Sequence, residues 1–81
     1  MERPKMSMDT PMAVCVEVFY IPADNFRQSA EWVAMPVDED ERQVGDASYH
    51  RLKRDAVSAA RKYSLPIKLY TIKDEYLKTI E

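Results

Sequence analysis

Along MAVCVEVFYI, Met12 to Ile21, every position but Glu17 is apolar, and the two-residue period of a strand divides them between two faces. Val14, Val16, Val18 and Tyr20 fall on one face, and Cys15, Glu17, Phe19 and Ile21 on the other. Rich in β-branched and aromatic residues and stopped by Pro22, the stretch predicts a strand whose first set faces the core. EWVAMPV, Glu31 to Val37, predicts a second strand, antiparallel to the first. Pro36 cannot donate to a ladder, so this strand is expected at an edge or to end near Pro36.

The period then lengthens. Tyr49, Leu52, Ala56, Ala60 and Tyr63 recur at spacings of three and four, the stripe of an amphipathic helix expected from a cap at Asp46 to about Tyr63. Ala56, Ala59 and Ala60 would let it approach a sheet closely. The SLP of residues 64–66 ends it, since the residue before a proline resists helical geometry. Alternation returns in IKLYTI, Ile67 to Ile72. YLKTIE pairs back onto it across Lys73, Asp74 and Glu75, in preference to a short helix capped by Asp74. The expected fold is α+β: a two-layer β-β-α-β-β domain over residues 12–81, one helix on a small antiparallel sheet. Residues 1–11, with two prolines and no apolar period, are expected to form a flexible tail. Phe26, in the turn after the first strand, is expected to fold back onto the domain.

With 81 residues, 46% of them hydrophobic and 32% charged, the chain fits one globular domain. The net charge of −2 is unevenly placed. Residues 1–46 hold ten acids and four bases, and residues 47–81 hold four acids and eight bases. Cys15 is the single cysteine, so no internal disulfide forms. No apolar run approaches the roughly 18 residues of a membrane span, and the opening residues, charged with no apolar stretch behind them, are not expected to act as a secretory signal. The expected location is cytoplasmic, with no membrane partner.

The charge boundary lies in MPVDEDERQVGDASYHRLKRD. Counting from Asp38, a calcium loop would need glycine at its sixth position and an acid at its twelfth, where Gln43 and Tyr49 stand. No metal site is expected. Asp38, Glu39, Asp40 and Glu41 read first as a solvated linker that discourages edge pairing, and second as a docking surface for a basic partner. The basic residues Arg51, Arg54, Arg61 and Lys62 share a broad outward sector of the expected helix and are the candidates for phosphate contacts. Asp55 interrupts them and no aromatic joins them, so nucleic acid is the less favoured partner. Catalysis would have to draw on His50 and on Cys15 or a serine, and the single glycine leaves no phosphate-cradling loop. No enzyme activity, catalytic residue or cofactor is expected. Phe19, Ile21 and Trp32, with Cys15, are expected on an uncovered sheet face as an apolar partner-binding patch.

Over residues 12–81 this plan, with AARKYSLP feeding the strand IKLYTI, resembles small accessory proteins of phages and other mobile elements, among them anti-CRISPR inhibitors. The resemblance rests on size, element order and charge segregation, and no residue role is carried over from it. It implies a protein that binds a host complex. The expected function is therefore a non-enzymatic protein-binding module, an inhibitor of a nucleic-acid-handling host complex. A nucleic-acid-binding regulatory domain and a structural homodimer are the alternatives.

Overall fold

The computed structural model describes residues 12–24 and 29–81. The tail expected over 1–11 and the turn residue Phe26 lie outside the described residues. Five strands and one helix follow in the order β1 (Cys15–Ile21), β2 (Glu31–Val37), β3 (Ser48–His50), α1 (Lys53–Arg61), β4 (Ile67–Tyr70) and β5 (Tyr76–Ile80). They form a single sheet in the order β3-β2-β1-β4-β5, with the helix packed across one face. This is the α+β plan the periodicity predicts, including the β4–β5 hairpin.

The sheet is mixed rather than antiparallel. β1–β2, β2–β3 and β4–β5 are antiparallel, whereas β4 runs parallel to β1. It follows that β3 also runs parallel to β1 and β4, and that β3–α1–β4 is a crossover passing over β2 and β1. Parallel neighbours need such a connection, usually helical. α1 is consequently pressed onto β2 and the central strand β1.

β3 is the element the sequence pattern missed. Residues 46–52, expected as the first turns of the helix, instead include an edge strand in which Ser48, Tyr49 and His50 pair with Ala34, Val33 and Trp32. The helix starts seven residues after Asp46, with Leu52 in extended geometry at its cap and no side-chain cap bond. Ser, Tyr and His are indifferent helix formers, and pairing β2's outer edge satisfies backbone groups that a longer helix would leave open. Tyr49 is 53% and Leu52 47% exposed, so neither belongs to the buried stripe, and Tyr63 is exposed as well. The stripe that survives is short. Ala56 and Ala60 are fully buried against Val16, Val18, Ala34, Ile67 and Leu69, with Trp32, Val57, Ala59, Leu65 and Ile80 around them.

β2 is interior, between β1 and β3, and ends one residue past Pro36. On its outer side the Pro36 carbonyl accepts from the Val44 amide at 2.8 Å, beyond the end of the β3 ladder, where no proline N–H is needed. Pairing of Val16 with Pro36, Val18 with Ala34 and Tyr20 with Trp32 puts all six on the helix side. Cys15, Glu17, Phe19, Val33, Met35, Val37 and, from β4, Lys68 lie on the other side.

Candidate functional site

The helix-free face is not bare. Cys15, Val33 and Val37 on it are buried. Asp38, only 8% exposed, begins a closed loop immediately after β2. One carboxylate oxygen accepts from the amides of Asp40 at 2.8 Å and Arg42 at 3.0 Å. The Asp38 carbonyl accepts from the Glu41 amide, and the Asp38 amide donates to the Arg42 carbonyl, each at 2.9 Å. Short polar side chains commonly hold turns in this way. Glu41 sits in the left-handed region at φ 64°, uncommon for a residue with a side chain. Its carboxylate meets Lys68 Nζ at 3.5 Å. Lys68 belongs to β4, and β1 lies between β2 and β4. The acidic loop therefore arches over β1.

The four acids thus have different roles. Asp38 builds the loop, Asp40 lies 3.6 Å from the Arg42 guanidinium, Glu41 reaches Lys68, and Glu39 is exposed. A uniform solvated linker is not what forms.

Between this arch and the β4–β5 turn lies a groove of about 620 Å³. Glu17, Phe19, Ile21 and Met35 line its strand side, Glu41 one flank, and Tyr70, Ile72, Lys73 and Asp74 the other. The second flank is a defined turn. Thr71 Oγ1 accepts from the Lys73 and Glu75 amides, and Asp74 takes φ 64°. Glu17 is half-buried and, among the described residues, no ion pair forms to it. Its Oε2 lies 3.5 Å from the Tyr70 hydroxyl, long for a hydrogen bond. Burial pushes the Glu17 carboxyl above the usual carboxylate range, Glu41 and Asp74 add to the rise, and Lys68 and the Tyr70 contact oppose it. Burial likewise raises the Tyr70 hydroxyl, with Glu17 next in effect, and raises the Cys15 thiol, which disfavours its thiolate.

A raised acid binds more protons folded than unfolded, so its ionisation works against the fold as pH rises. Glu17→Gln is therefore expected to unfold at higher urea than wild type at pH 7. The gap should close as pH falls below the unfolded carboxyl value of about 4.3, where both chains are neutral at this position. A variant less stable than wild type at pH 7 would show that the carboxylate is favourably held.

No family model, curated protein or solved structure matches this chain.

The other candidates from the sequence are dispersed. Phe19 and Ile21 line the groove, but Trp32 is under the helix edge, so the three do not form one patch. The Trp32 ring packs 5.2 Å from that of Tyr20 and beneath the Lys53 ammonium at 5.5 Å, a cation–π contact that ties the start of α1 to β2. Alternation shows why. Trp32 is one residue out of phase with Val33 and Met35, which share the Phe19 face. His50 lies on β3 opposite Trp32, its Nε2 2.8 Å from Ser48 Oγ, whereas Cys15 faces the other side of the sheet. The two do not form a nucleophile–base pair.

The basic ridge is divided. Arg51 precedes α1, and Lys62 caps it, turned about 80° from Arg54 around the axis. Arg54 and Arg61, seven residues apart and nearly aligned, flank Val57 and Ser58 together with Lys53. Among the described residues, no three His, Cys, Asp or Glu side chains gather as a metal-ligand set, and no helix is long and apolar enough to cross a membrane. Met35, Tyr70, Ile72 and Asp74 are groove residues that sequence reasoning did not single out. Glu17, alone among apolar neighbours on its strand, carried a signal, and the alternation of IKLYTI already placed Lys68 and Tyr70 on one face.

Proposed function

We propose that this domain is a non-enzymatic protein-binding module that docks a partner in the groove on its helix-free face, acting as an inhibitor of a nucleic-acid-handling host complex of the kind anti-CRISPR proteins target. The observation that supports this reading is the groove itself. It has an apolar strand side of Phe19, Ile21 and Met35, and three carboxylates, Glu17, Glu41 and Asp74, against one lining lysine, Lys73. Apolar contact supplies residence time, while rim carboxylates steer a basic partner and set the salt dependence of encounter. Proteins that handle nucleic acid present basic grooves, which an acidic module can occupy in place of phosphate. The competing reading assigns nucleic-acid binding to Lys53, Arg54 and Arg61.

The test is capture from a host lysate with three proteins: wild type, Ile72→Lys and Arg54→Ala/Arg61→Ala. Ile72 is 63% exposed in the turn, so its replacement leaves folding intact while removing apolar wall and adding a base. Loss of the captured protein with Ile72→Lys and its retention with the double variant is the expected result. The opposite pattern, with salt-sensitive gel shifts of duplex or single-stranded probes, would transfer the function to the helix.

A further inference from the structure

We infer that the groove takes an arginine side chain of the partner, flanked by an apolar residue, and that Glu17 is the carboxylate that receives it. The inference rests on the docking reading above and specifies its ligand. Glu41 is already matched by Lys68 at 3.5 Å. Neither Glu17 nor Asp74 forms an ion pair among the described residues, but Asp74 is exposed to water whereas Glu17 is half-buried. A carboxylate held that way gains when a cation arrives, because the newcomer offsets both the lost hydration and the repulsion from Glu41 and Asp74. An acidic guest would meet three carboxylates and is disfavoured.

The size and shape of the cation follow from its neighbours. Among the described residues no three ligating side chains gather, so a small metal ion finds no coordination set. A guanidinium is broad and flat. It presents several donors in its plane to carboxylate oxygens while lying against an aromatic ring, and Tyr70 borders the groove with its hydroxyl beside Glu17. Phe19, Ile21, Met35 and Ile72 supply the apolar surface for the neighbouring residue. The volume of about 620 Å³ suits a few side chains rather than a folded element.

The experiment is an amide-resolved NMR titration of the full chain with two capped tripeptides, acetyl-Leu-Arg-Leu-amide and acetyl-Leu-Gln-Leu-amide, up to millimolar peptide. The arginine peptide is expected to shift amides of Glu17, Phe19, Met35, Tyr70 and Asp74 and to bind about tenfold more tightly than the glutamine peptide, as a charge-assisted contact should. Glu17→Gln should remove that tenfold preference, while Glu39→Gln, on the exposed side of the arch, should keep it. Equal binding of both peptides in the groove would overturn the arginine assignment and leave the docking reading standing. Arginine-peptide shifts confined to other surfaces, or none at all, would overturn it too. The docking reading falls separately, if capture ignores Ile72→Lys.

Discussion

Ile67→Ala is expected to destabilise the domain by about 2–5 kcal/mol, which for a chain of this size lowers the melting temperature by roughly 10–30 °C. Ile67 is the largest of the fully buried side chains, 2% exposed, at the β4 end of the crossover where Ala56 and Ala60 close over the sheet. The alanines that cover it from the helix cannot reach into the cavity, so collapse from that side is limited. Leu52→Ala is the informative partner experiment. A leucine on the expected helical stripe should cost as much as Ile67. Leu52 instead stands half-exposed at the helix cap, where its carbonyl rather than its side chain serves the amides of Asp55 and Ala56. Its replacement should cost under about 1 kcal/mol. Urea unfolding of the two variants measures both, and equal losses would mean that the helix begins earlier and lies differently on the sheet.

Asp38→Ala is expected to cost about 1–3 kcal/mol, far more than an exposed acid would. Removing the carboxylate leaves the Asp40 and Arg42 amides without their acceptor at the closure of the arch. Asp38→Asn retains an acceptor oxygen in the same place and should recover part of the loss, whereas Glu39→Ala should be neutral within about half a kcal/mol. A consequence reaches the groove. Glu41 is carried by this loop, so Asp38→Ala should also disturb the amide signals of Lys68 and Glu17 while leaving those of the helix unchanged. If Asp38→Ala unfolds like Glu39→Ala, the arch is held by its backbone turn alone.

The candidate site was legible only in pieces. Glu17 stood out as a charge amid apolar neighbours on its strand, and Phe19 and Ile21 shared its phase. Residue type alone groups Trp32 with Phe19 and Ile21, whereas the antiparallel register puts it opposite Tyr20 on the helix side. The acidic run looked uniform in sequence. What distinguishes its members is how far each reaches after the chain turns, down to the loop amides for Asp38 and across β1 for Glu41.

Local chemistry by itself determined the two hairpin partners, the helix stop before Pro66 and the buried alanine stripe, because alternation, proline geometry and side-chain volume act over a few residues. The rest was decided in three dimensions. Residues 48–50 became a strand because the outer edge of β2 offered backbone partners, which outweighed a weak helical preference. β4 runs parallel to β1 because the chain, once on the β3 edge, recrosses the sheet through α1 before pairing. The groove exists because an acidic loop and a distant turn come to flank one strand, a proximity between residues more than thirty positions apart that no local pattern encodes.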